Sequence, residues 1–250
     1  MKLTDLCVCL DQLLQPNAYR DYCKNGLQVE GQADIPKIAT AVSASLATIE
    51  AAIDCGAKAL IVHHGLFWDR DPMEITGTKK KKLQLLLTEE ISLIAYHLPL
   101  DAHQIYGNNW GAANLLGLTN LEPFGCYNGQ YIGVKGRISP QSRDTFAKTL
   151  ENFYDHPAHS AFGGKEIIES VAIISGGAHK SILEASAQNI DCFITGSFDE
   201  PIWHQAFEEK INFYALGHSN TEKIGVQLLG KHLASHFNLA CPFLDVQNPF

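Results

Sequence analysis

No stretch of this sequence approaches the roughly 18 consecutive apolar residues that a membrane-spanning helix requires, although 46% of its 250 residues are hydrophobic. That apolar content is expected to build a core, with no membrane partner. The opening segment carries Asp5 and Asp11 inside its apolar pattern. This is wrong for a signal peptide and reads as an amphipathic helix, so the expected location is cytoplasmic. Positive charge is also short: 19 Lys and Arg stand against 27 Asp and Glu, a net charge of -8. Such a chain has no footprint for general nucleic-acid binding. The run Lys79 to Lys82 is the local exception and reads as a solvated helix face. Cysteine pairing is missing too. Seven cysteines, an odd number with no Cys-x-x-Cys pair, exclude a disulfide framework and a structural zinc knot. Charged residues are only 18% of the chain, which argues against long disordered stretches. There is no Gly-x-x-x-x-Gly-Lys-[Ser/Thr] loop for phosphates.

What is present is an alternation of strands and helices. Residues 2–14 place Leu3, Leu6, Leu10, Leu13 and Leu14 on one side of a helix, with Thr4 as its expected N-cap. Apolar runs at 38–42, 57–62, 91–96, 171–174, 192–195 and 212–216 read as strands, and helical patterns separate them. Pro99 is expected to stop regular structure after the third run. A faint repeat relates Ser43-Ala-Ser45 and Ile49-Glu-Ala51 to Ser175-Gly-Gly177 and Leu183-Glu-Ala185. The expected fold is α/β, with two interlinked modules of similar topology and mostly parallel sheets flanked by helices. The Gly- and Pro-containing stretch at 119–140 is the best boundary. Residues 1–125 with 200–250 form the expected metal-site module, and 126–199 the second, with internal duplication.

Three strands end in histidine. Ala-Leu-Ile-Val is followed by His63-His64, Leu-Ile-Ala-Tyr by His97 with Asp101 four residues on, and Phe-Tyr-Ala-Leu-Gly by His218 with Glu222 four residues on. Open α/β sheets place ligands beyond the carboxyl ends of their strands, so three separate positions are expected to converge. Imidazole with carboxylate suits zinc, iron, manganese, nickel or cobalt better than calcium or magnesium. Four histidines and two carboxylates exceed one tetrahedral shell. They match two divalent ions bridged by a carboxylate, ~3.5–4 Å apart. A lone strand-end histidine is ordinarily a turn or core residue; the coincidence at three ends is what favours metal. His63 and His64 are adjacent, so strand alternation sends them to opposite faces unless a turn at Gly65 re-aims them. His103 is a candidate supporting residue, and His179 follows a Gly-Gly turn. Ser175-Gly-Gly177 before a helix reads equally as a phosphate cradle or a tight turn.

Asn25-Gly-Leu-Gln-Val-Glu-Gly31, Val62-His-His-Gly-Leu-Phe-Trp68, His97-Leu-Pro-Leu-Asp101, Gly107-Asn-Asn109, Thr195-Gly196 and Gly217-His-x-x-Thr-Glu222 together resemble one family. It is the dinuclear-metal-centre family of the yeast NGG1-interacting factor, also labelled GTP cyclohydrolase 1 type 2 homologue, in its short bacterial form. The resemblance implies two metal ions per chain, held by His63, His64, Asp101, His218 and Glu222 with His97 beside them, and a homohexamer. Where that family usually has Thr-Gly-Glu, this chain has Thr195-Gly196-Ser197, with Asp199 and Glu200 nearby. The expected activity is that of a metal-dependent hydrolase, cyclohydrolase-like by family label, acting on a small molecule of unknown identity. His97 is the candidate general acid or base, and His103 the other. A metal-binding regulatory or protein-interaction factor without catalysis is the alternative, and metal storage or delivery a third reading.

Overall fold

The computed structural model describes residues 1–250. Leucines three and four positions apart make the first helix, α1 (Leu3–Leu14), and bury Leu3, Leu6, Leu10 and Leu14 along one stripe. Its N-cap is Lys2, without a side-chain cap, and not Thr4. Leu3 already lies in the helix, which leaves Thr4 inside the first turn. The chain continues through β1 (Gly26–Val29), β2 (Ile38–Ser43), α2 (Leu46–Asp54), β3 (Ala59–His64), α3 (Gly77–Thr88) and β4 (Ser92–Ala95). These strands form one sheet in the order β1-β4-β3-β2. β2, β3 and β4 are parallel, and β1 runs antiparallel along β4. The parallel strands are buried on both faces, which is why they read as apolar runs without alternation.

Alternate residues of each strand feed two cores. Leu60, Val62 and Leu93 pack with Ile49 and Ala52 of α2 and with Leu83 and Leu86 of α3. Ile61 and Ile94 face the other way, onto α1 and onto Val226, Leu229 and Leu233 of the last helix. Fully burying one such leucine contributes about 2 kcal/mol.

After β4 come α4 (Leu98–Ala102), α5 (Asn108–Leu115), β5 (Thr119–Tyr127) and β6 (Gln130–Ser142). Pro99 does not end regular structure. It sits at the second position of α4, where its missing N–H has no helical partner to lose. Next follow α6 (Arg143–Tyr154), β7 (His159–Phe162), β8 (Ile167–Ile173), α7 (Ile182–Ala187), β9 (Cys192–Thr195), α8 (Glu200–Glu208), β10 (Asn212–Ala215), α9 (His218–Thr221) and α10 (Lys223–Phe237). The second sheet has the order β5-β6-β8-β9-β10-β7. Here β8, β9 and β10 are parallel, and β7 runs antiparallel along β10. The series helix, strand, strand, helix, strand, helix, strand thus occurs twice, with the same neighbours and the same directions.

Two compact units result: Met1–Leu100 with Gly225–Gln247, and Asp101–Ile224 with Asn248–Phe250. The stretch 119–140 is a strand hairpin of the second sheet, turning at Gly129 with φ +83°. The division falls at Leu100 and Ile224, where the sequence reading places it at 125 and 199. Pairing of β5 with β6 and of β6 with β8 keeps the hairpin within one sheet. No helix is long and apolar enough to cross a membrane, and all seven cysteines are free.

Candidate metal centre

In the first unit β3 ends on His63 and His64, and β4 leads two residues later to His97. The three imidazoles each offer a ring nitrogen within 4.8 Å of the others. His63 and His64 are neighbours in one strand, yet their ring centroids are 4.7 Å apart, so no turn at Gly65 is needed to bring them together. His63 is fully buried and His64 half-buried. Each ring is fixed through Nδ1. That of His63 meets the Tyr96 carbonyl at 3.1 Å, that of His64 the Ser43 hydroxyl at 3.1 Å, and that of His97 the Asp21 carboxylate at 2.9 Å. A neutral imidazole that donates from Nδ1 to a carbonyl or carboxylate carries its lone pair on Nε2. His63 and His64 therefore fit a divalent ion as oriented nitrogen donors of borderline softness, and His97 stands beside them with its tautomer fixed by Asp21.

Asp21 has no counterpart in the expected site. Its side chain is 2% exposed. It also accepts from the backbone N–H groups of Cys23 and Leu98 and from Asn25 Nδ2. Burial pushes this carboxyl up, but the hydrogen bond and charge of His97, with those from Asn25 and Cys23, outweigh burial and hold it at about 2. No periodicity marks Asp21 in the sequence. The only cue is an Asp four residues before an Asn in a segment without regular structure.

The second unit holds the remaining predicted ligands. Asp101 is buried, and its Oδ1 accepts from Asn108 Nδ2 at 2.8 Å and from Ser175 Oγ at 3.0 Å. His218 opens α9 and Glu222 follows its end, which brings His218 Nε2 to 3.2 Å from Glu222 Oε1. A Cβ on Gly176 would strike that carboxylate, and Gly176 has φ +65°, so glycine is required there. Ser197 Oγ reaches His218 Nδ1 at 3.4 Å. Asp199 instead caps α8 and faces His179 at 3.8 Å, and Glu200 lies exposed in the first turn of α8.

Ser175-Gly-Gly177 resolves as a tight turn. Ser175 N–H donates to Asn109 Oδ1 and Gly176 N–H to Thr221 Oγ1, so those donors are committed inside the protein. His103 is engaged in its own loop, where Nδ1 accepts from the N–H groups of Ile105 and Tyr106. The ring nitrogens of His179 are buried without a hydrogen-bond partner.

A family model described as Duf34/NIF3 (NGG1p interacting factor 3) matches residues 1–249. A protein of Chlamydia muridarum (strain MoPn / Nigg) called "GTP cyclohydrolase 1 type 2 homolog" is 49% identical over the whole of both chains. A Chlamydia pneumoniae protein of the same name is 47% identical, again over the whole of both. Among solved structures, TTHA1606 from Thermus thermophilus is 33% identical and superposes with a TM-score of 0.93 over all of both chains.

Proposed function

We propose, for a chain that belongs to the Duf34/NIF3 family, that it is a hydrolase dependent on two divalent metal ions. His63 and His64 of the first unit, and Asp101, His218 and Glu222 of the second, would hold them. The observation that carries this reading is the imidazole cluster of His63, His64 and His97 with every Nδ1 committed to a partner. Rings that served only to pack would have no need of three oriented donors in one place. The ions, when bound, supply a nucleophilic water near neutral pH and polarise the bond to be broken.

The chain's own residues do the rest. Tyr96 O and Ser43 Oγ aim His63 and His64. Asn108 and Ser175 orient the Asp101 carboxylate. Asp21 holds the Nδ1 proton of His97, so His97 takes and returns protons at Nε2 as general acid or base. The relatives' name makes hydrolytic ring opening of GTP the first reaction to assay. A homohexamer and a cytoplasmic location belong to the same reading; light scattering against the 27.5 kDa chain mass tests the first.

Metal analysis tests the centre. Reconstituted protein should bind close to two zinc or manganese ions per chain, and Glu222→Gln should lose more metal than His97→Ala. A single site at full loading, or wild-type occupancy in Glu222→Gln, would defeat the dinuclear model. Metal binding without turnover on a substrate panel would leave the regulatory reading in its place.

A further inference from the structure

Beside the imidazole cluster the first unit carries two aromatic rings that no ligand role has absorbed. Tyr22 is 47% exposed and Trp68 half-buried. Their centroids are 5.4 Å apart with planes only 35° from each other. Both stand nearly perpendicular to His97, Tyr22 at 5.0 Å and 74°, Trp68 at 5.2 Å and 77°. Trp68 also lies 5.9 Å from His64. The two rings form one wall, edged by the histidines.

Five hydrogen bonds tie together the two segments that carry that wall. Trp68 Nε1 donates to the Gly65 carbonyl at 3.1 Å. Lys24 N–H donates to Phe67 O at 3.0 Å, and Asp69 N–H to Tyr22 O at 2.9 Å. Gln28 accepts from Leu66 N–H at 2.7 Å and donates to Lys24 O at 2.7 Å. A Cβ on Gly65 would run into that Gln28 amide. Trp68 also packs against the first core, yet it and the 47% exposed Tyr22 stay partly open to solvent beside the histidines, where rings that only filled a core would be covered.

We propose that Tyr22 and Trp68 are a stacking platform for a planar heteroaromatic ring, placed so that the ring's edge meets the histidine cluster. Calling that ligand a substrate rests on the hydrolase reading; the platform itself does not. Aromatic faces hold flat heterocycles with little regard to their ring substituents. The wall therefore selects ring-bearing compounds over sugars and phosphates that lack a ring system of this kind.

The test uses zinc-loaded full-length protein with Trp110→Phe and Trp203→Phe, which leaves Trp68 as the only indole of the three. Guanosine, cytidine and nicotinamide mononucleotides are titrated, with ribose 5-phosphate as the control without a heterocycle. Saturable quenching by at least one mononucleotide and none by ribose 5-phosphate is expected, and Tyr22→Leu should weaken that binding about ten-fold. Should the double variant fail to fold, saturation-transfer NMR on the wild-type chain reads the same contact as stronger transfer to base protons than to ribose protons. No saturable response to any of the three rings, an equal response to ribose 5-phosphate, or unchanged binding in Tyr22→Leu overturns the platform. Zinc content is measured on the same samples. Quenching without bound zinc sinks the hydrolase reading alone, and bound zinc without quenching sinks the platform alone.

Discussion

The two modules share a strand order but put their clustered histidines in different places. Counted from the first residue of each strand, β3 reaches His63 and His64 at its fifth and sixth positions. The same count from Cys192 along β9 reaches Gly196 and Ser197. The reason is steric. A Cβ on Gly196 would lie 2.6 Å from the backbone Cα of His218 and 2.7 Å from Thr221 Oγ1. The loop that presents His218 fills the space a side chain would need at the end of β9. One module therefore carries imidazoles on the strand itself, and the other carries one on the helical turn after its last strand. The scaffold admits both, so the fold by itself says little about where the donors sit.

The largest effect expected from breaking this difference is at Gly196. Gly196→Ala forces backbone apart from backbone and should cost about 3 kcal/mol. Gly65→Ala meets a side-chain amide that can shift at the loss of a hydrogen bond, so about 1 kcal/mol is expected. Urea denaturation of the two variants ranks them, and a Gly196→Ala protein as stable as wild type would show that crowding does not keep side chains off the end of β9.

Next comes Asp21, the buried carboxylate that meets Nδ1 of His97 in the first module, where Nδ1 of His218 in the second meets the Ser197 hydroxyl. Asp21→Asn should cost about 2 kcal/mol, the range of a charge-assisted hydrogen bond. Its pH dependence has a definite sign. The folded-state value, about 2, is below the ordinary 3.8. The stabilisation is therefore fully present above the ordinary value and is lost as pH falls through about 2. The gap between wild type and Asp21→Asn should be level down to the ordinary carboxylate value and close below it. A gap that already closes between neutrality and mild acid would assign the effect to another group.

How far the sequence carries these conclusions depends on where each signal is written. β2, β3, β4, β9 and β10 are legible because burial on both faces writes them as apolar runs, and of β8 only the buried end from Val171 to Ile173 reads so. His218 and Glu222 are legible as a pair because one helical turn joins them. Asp21 is not, since its partner His97 is 76 residues away and no period links them. β7 is equally hidden: its four residues His159–Phe162 include one buried position, too little to set a pattern. The Ser175-Gly-Gly177 turn shows the limit from the other side. Its composition allows an anion cradle, and what counts against it is that the Ser175 and Gly176 N–H groups are taken by Asn109 and Thr221.

The smallest expected effect concerns the two serines that steady the histidines. Ser43 Oγ lies 3.1 Å from His64 Nδ1, and Ser43 pairs with His64 across the parallel strands β2 and β3. Ser197 Oγ lies at 3.4 Å from His218 Nδ1, near the limit of a useful hydrogen bond. The side chain of His218 is moreover 42% exposed, so water can replace the serine as a partner. Loss of a residue that orients a ligand commonly weakens metal affinity ten-fold or more. Ser43→Ala should therefore raise the zinc dissociation constant about ten-fold, and Ser197→Ala by less than about three-fold. Competition with a chromophoric chelator reads both. Equal losses would mean that the first module's strand-borne serine has no orienting advantage over the loop-borne one, and that the difference between the modules stops at the ligands.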